Sequence, residues 1–166
     1  MHASASWCIL PACVLMTSCG PNEDRVRAMI ADEFARQGTK SFIVQAETIG
    51  PYSPAIRTGS FVFVSGQIGL DPATGALAGN DIQAQTRQAM SNLLTILSKA
   101  GCDSSDVVQC TVYLTDMKEF PSMNQIYGGY FQEDRYPTRT TVEVRSLPRN
   151  AKIEVAAVAY APQLPQ

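Results

Sequence analysis

Histidine is almost missing from this chain of 166 residues: the single one is His2, at the extreme N-terminus. No serine or cysteine further along can draw on a histidine base, and histidine metal sites are excluded with it. Thiols are sparse in the same way. Of five cysteines, Cys8, Cys13 and Cys19 crowd the first nineteen residues, which leaves Cys102 and Cys110. Two thiols without a histidine make a poor zinc site. A disulfide between them is open outside the cytoplasm, but both read more simply as small apolar packing residues. Cationic surface is lacking too. Thirteen Lys and Arg face fifteen Asp and Glu, for a net charge of −2, and the basic residues are scattered. That builds no face for nucleic acid or anionic lipid. Glycine is present, yet no glycine cluster has the spacing of a phosphate loop or a dinucleotide turn.

What remains is an ordinary globular composition, 45% hydrophobic, enough for the core of one compact domain. The run Trp7 to Met16 is apolar but too short to span a bilayer, and has the length of a signal-peptide core. Leu15-Met16-Thr17-Ser18-Cys19 closes it and resembles the lipobox of bacterial lipoproteins, with Cys19 as the lipidated residue. The expectation is a signal segment at 1–19, export, and a periplasmic lipid anchor. Residues 1–6 carry no lysine or arginine, which keeps a cytoplasmic location open. Residues 20–39 read as a polar spacer, either a tether or a short amphipathic helix with Val26, Met29, Ile30 and Phe34 at helical spacing.

The domain is placed at 40–162. Ser41 to Gln45 predicts a strand, and the glycine and two prolines of Ile49 to Pro54 an irregular loop. Phe61 to Gln67 predicts a second strand that stops at Ser65-Gly66. Asn80 or Asp81 caps a helix whose stripe runs from Ile82 to Ala100, with Gly101 ending it. Val107 to Leu114 is a strand, and about Glu119 to Gln132 a helix with Phe120, Met123, Tyr127, Tyr130 and Phe131 on one side. Two C-terminal strands follow, Thr138 to Val144 and Lys152 to Tyr160, joined through Leu147-Pro148-Arg149-Asn150. The order β-β-α-β-α-β-β implies an α+β domain with two helices packed on one face of a mixed sheet.

Two charges sit oddly in the last strands. Arg139 interrupts a Thr/Val run, and Glu154 lies between Ile153 and Val155 in a stretch apolar enough to be buried on both faces. Isolated charges in buried strands are costly unless paired, hydrogen-bonded or meeting a ligand. Either the two pair with each other or with neighbours, or the guanidinium fork grips a carboxylate while the carboxylate holds a water.

Several stretches, in order, resemble the reactive-intermediate deaminase family, RidA/YjgF: Gly50-Pro51-Tyr52-Ser53, Val64-Ser65-Gly66-Gln67, Thr111 to Met117, Phe120 to Tyr127, Pro137-Thr138-Arg139, and Leu147-Pro148-Arg149 with Lys152-Ile153-Glu154. The match runs from about Phe42 to Ala159. It implies a chorismate-mutase-like fold, a homotrimer with sites between subunits, and hydrolysis of 2-imino acids to 2-oxo acids and ammonia without metal or organic cofactor. By the same resemblance Arg139 binds the substrate carboxylate, Glu154 orients the attacking water, and Tyr52, Ser65 and Asn124 line the cleft. Thr141 falls where many relatives carry cysteine, at a backbone carbonyl that contacts the imine nitrogen. Some relatives are described as ribonucleases, which the missing basic patch and histidine pair weigh against. Others act as binding or interaction modules, so a non-catalytic carboxylate binder is the alternative function.

Overall fold

The computed structural model describes residues 23–37, 40–43 and 50–161. The lipobox-like stretch with Cys19 therefore lies outside the described residues, as do Val44 and Gln45 of the first predicted strand. Helix α1 (Glu23–Gln37) is formed, and its described side chains from Asp24 to Asp32 are exposed apart from half-buried Val26.

Six strands form one mixed sheet: β1 (Lys40–Ile43), β2 (Ala55–Thr58), β3 (Phe61–Ile68), β4 (Val107–Leu114), β5 (Thr138–Glu143) and β6 (Ile153–Tyr160). Their spatial order is β1-β2-β3-β6-β4-β5, antiparallel throughout except that β4 and β5 run parallel. The two C-terminal strands do not pair with each other; both pair with β4. Helices α2 (Ile82–Lys99) and α3 (Phe120–Gly128) cover one face. This is the expected α+β architecture.

The core follows from period. Ile82, Ala89, Met90, Leu93, Ile96 and Leu97 recur at helical spacing along α2 and are all buried. They meet Val62 and Val64 of β3, Cys110, Val112 and Leu114 of β4, and Ile153, Val155, Ala157 and Ala159 of β6. Each fully buried leucine or isoleucine there contributes roughly 1.5–3 kcal/mol. Asp81 caps α2 by accepting from the Ala84 N–H at 2.8 Å, and Gly101 leaves it at φ +70°, a conformation that favours glycine. Polar side chains then lock helix to sheet. Buried Gln85 accepts from the Lys152 N–H at 2.8 Å, and Asn92 donates to the carbonyls of Ile68 and Leu70 at 3.1 and 2.8 Å.

One strand is added to those expected, and three expectations are corrected. Ala55–Thr58 is a strand, although its Arg57 breaks the apolar pattern; that buried guanidinium donates to the carbonyls of Ala161 (2.9 Å) and Ala100 (2.7 Å) and to the Cys102 thiol (3.3 Å). β3 does not stop at Ser65-Gly66. It continues to Ile68 through a bulge, the register passing from Val64↔Ala157 to Gln67↔Val155. α3 ends at Gly128 rather than Gln132, because two consecutive glycines follow one another there; Phe131 still packs on Tyr127, their ring centres 5.0 Å apart. And β6 is buried on one face only: Ile153, Val155, Ala157 and Ala159 point inward, while Glu154, Ala156 and Val158 are half-exposed on the other face. Cys102 and Cys110 are both buried free thiols, in keeping with their packing role.

Candidate functional site

Register decides where the two odd charges point. Arg139 pairs with Cys110 on β4, and Glu154 pairs with Tyr113 on the same strand. Cys110 and Tyr113 are three positions apart, an odd number, so the side chains of Arg139 and Glu154 stand on opposite faces of the sheet. They are also separated by roughly 10 Å along the strands and roughly 10 Å across two strand spacings. No ion pair joins them, and no carboxylate among the described residues pairs with Arg139.

Arg139 lies on the helix side, at the β5 edge. Its Cζ sits 4.7 Å from the centre of the Tyr127 ring and 5.4 Å from that of Phe120, both on α3. The guanidinium borders an open cavity of about 610 Å³, whose walls include Asn124, Gln125, Tyr127, Tyr136 and Pro137. Asn124 is exposed on this rim. Thr141, two residues along the same face as Arg139, keeps a buried hydroxyl without a hydrogen-bond partner. The Tyr127 hydroxyl is likewise buried without a well-formed partner, beside the Cys110 thiol. Burial pushes that thiol above its ordinary range.

Glu154 belongs to the other face, where the β3 bulge makes room for it. A Cβ on Gly66 would lie 2.6 Å from the Glu154 carboxyl carbon and 2.9 Å from its Cγ, so the carboxylate lies directly over this glycine and a larger residue would displace it. Burial pushes the Glu154 carboxyl up, and no cation among the described residues offsets it. Next to it, Ser65 donates its hydroxyl to the Ser53 carbonyl at 2.7 Å, and its N–H to the Pro54 carbonyl at 2.9 Å. Ser65 therefore ties down the loop that carries exposed Tyr52, which turns back on itself through a Tyr52 N–H to Gly50 carbonyl bond of 2.9 Å.

The residues named from the sequence thus fall into two groups. Arg139, Asn124 and Thr141 stand on the helix side, and Glu154, Ser65 and Tyr52 gather at the bulge end of the chain. Gly66, Phe120 and Tyr127 were not read as site residues. The aromatic pair looked like core stripe, and Gly66 like a strand end.

The described residues thus form an α+β unit with helices on one face of a mixed sheet and polar groups of residues on both faces. Residues 42–161 match the family model described as Endoribonuclease L-PSP, and the chain belongs to that family, the RidA/YjgF or RutC proteins. A RutC family protein of Pyrococcus horikoshii is 49% identical over 112 residues, 68% of this chain and 88% of the relative. The 2-iminobutanoate/2-iminopropanoate deaminase of Homo sapiens is 41% identical over 111 residues, 67% of this chain and 80% of the relative. Among solved structures, a conserved Rid family protein of Yersinia pestis overlays with a TM-score of 0.71 at 38% identity, covering 74% of this chain and all of that one. TdcF of E. coli with bound serine gives 0.68 at 37% identity, covering 72% and 98%.

Proposed function

We propose that the chain hydrolyses reactive 2-imino or enamine acids to 2-oxo acids and ammonia, as a homotrimer whose sites join the Arg139 half of one subunit to the Glu154 half of the next. One observation carries this reading: the two charged groups stand on opposite faces of one sheet, each without a counter-ion among the described residues. Within one subunit they do not meet over a small substrate. Between two subunits packed face to edge they can, with the substrate and the attacking water lying between them. Relatives named as imine deaminases at 40–43% identity support the same chemistry.

In the reaction, the Arg139 fork takes the substrate carboxylate at two points. Glu154 holds a water on the other side of the iminium carbon. As the water oxygen bonds to that carbon, Glu154 accepts its proton; burial, by raising the carboxyl's proton affinity, makes it a stronger base than an exposed glutamate. The tetrahedral carbinolamine takes that proton on nitrogen; its hydroxyl then gives its own proton to Glu154 as the C–N bond breaks, so ammonia leaves and the 2-oxo acid forms. Asn124 and Tyr52 shape the cleft, Thr141 offers its backbone carbonyl to the imine nitrogen, and Ser65 keeps the Tyr52 loop in place. The test is ammonia release by the purified domain from freshly generated 2-iminobutanoate. Arg139→Lys, which keeps the charge but loses the fork, should raise KM and cut kcat/KM by about one to two decades. Glu154→Gln should act mainly on kcat, by about two decades or more. Ammonia release no faster than in buffer would reject the enzyme and favour a carboxylate-binding module.

The segment ending at Cys19 supports export and lipid anchoring as part of the same proposal. Cys19→Ser should then accumulate as an uncleaved precursor in bacteria, and a wild-type product soluble with Met1 intact would refute it.

A further inference from the structure

Half-buried Arg139 is held by two rings, with no carboxylate among the described residues on it. Phe120 and Tyr127 are seven residues apart on α3, two helical turns, so both rings rise from one face of the helix. The guanidinium carbon lies within 5.4 Å of both ring centres. Its register partner, Cys110, is fully buried and neutral, so it supplies no charge from the sheet side. The negative faces of two rings therefore do the work of a counter-ion. The distinction has a chemical consequence. A carboxylate would fix the guanidinium but occupy its N–H fork, whereas an aromatic face holds the cation and consumes no donor.

We propose that Phe120 and Tyr127 are positioning residues, an aromatic clamp that orients the Arg139 fork toward the cavity and leaves its donors free for the carboxylate of the substrate. The proposal rests on the reading of Arg139 as a carboxylate binder. It uses the rings of both residues and not the Tyr127 hydroxyl, which has no well-formed partner.

Phe120 is the position to test, because it is half-buried, while buried Tyr127 is part of the core. Phe120→Leu keeps apolar bulk and removes the ring face; Phe120→Tyr keeps the face. Calorimetric binding of 2-oxobutanoate and steady-state hydrolysis of 2-iminobutanoate are measured on wild type and both variants, with melting temperature as the check on folding. Phe120→Leu should weaken 2-oxobutanoate binding and raise KM by roughly fivefold, the loss of one partly exposed cation–π contact. Its kcat should stay within about twofold of wild type, and Phe120→Tyr should recover the affinity. Equal binding by wild type and Phe120→Leu, or a Phe120→Tyr variant as weak as Phe120→Leu, would overturn the clamp while leaving the carboxylate reading in place. If Arg139→Ala binds 2-oxobutanoate as well as wild type does, both fall together.

Discussion

Replacing Gly66 by alanine puts one methyl group where the Glu154 side chain now lies. The added Cβ would stand 2.6 Å from the carboxyl carbon and 2.9 Å from Cγ. Carbon atoms at rest are roughly 3.5–4.0 Å apart, and a Glu154 carboxyl oxygen lies closer still, so the carboxylate must retreat by at least about 1 Å. Stability should hardly notice. Alanine gains about 0.4–1 kcal/mol by restricting the unfolded chain, and a Glu154 pushed from its rotamer loses about 0.5–1.5 kcal/mol. Turnover should notice a great deal, since a misplacement of about 1 Å at a reacting group costs about a hundredfold. The expected result is a kcat about two decades lower with a nearly unchanged melting temperature. The double variant makes the reasoning sharper. With Glu154→Gln there is no base left to displace, so Gly66→Ala should add little to its loss, a coupling of about 2.7 kcal/mol. Imine hydrolysis and thermal melts on all four proteins complete the cycle. A Gly66→Ala enzyme with kcat within about threefold of wild type would refute the placement of Glu154 at the chemistry, and so would losses that simply multiply.

Two further outcomes follow from buried charge. Burial raises the folded-state proton affinity of Glu154, so its contribution to stability is fully present below the unfolded carboxyl range and is lost as pH rises through the raised folded value. Glu154→Gln should therefore melt higher than wild type at pH 7, the difference fading toward pH 4, and a variant that melts lower at pH 7 would mean that Glu154 is held by an ion pair after all. Arg57 is the opposite case, a structural cation that ties three segments together through Ala100, Cys102 and Ala161. Arg57→Lys cannot reach all three acceptors and should lose about 2–4 kcal/mol in denaturant unfolding, with KM for the imine unaltered in the folded protein.

The sequence patterns that survived into the fold are those with a period long enough to repeat. The α2 stripe, its glycine stop and β4 at Val107–Leu114 were legible from the sequence, and the α2 cap was narrowed to Asn80 or Asp81, of which the structure uses Asp81. β2 was not legible, because four residues carry too short an alternation and a charged residue, Arg57, sits inside it facing the core. The bulge at Ser65-Gly66 looked like a strand end, since a serine and a glycine mark both. In the site, the residue types were readable from motifs, and Arg139 and Glu154 stood out as charges in strands. Their division between faces was not readable, because it depends on pairing with Cys110 and Tyr113 of a third strand. The bond from Ser65 to Ser53, which makes that serine a support for the Tyr52 loop, required the fold as well.

Subunit complementation tests the central claim, that each working site draws Arg139 and Glu154 from different copies. Arg139→Ala and Glu154→Gln are purified separately, each close to inactive, then unfolded, mixed in equal amounts and refolded together. In randomly mixed trimers, about a quarter of the interfaces unite an intact Arg139 half with an intact Glu154 half. Imine hydrolysis should return to about a quarter of the activity of wild type treated in the same way. Mixed protein that sediments as a trimer and stays as inactive as its parents would contradict the between-subunit site.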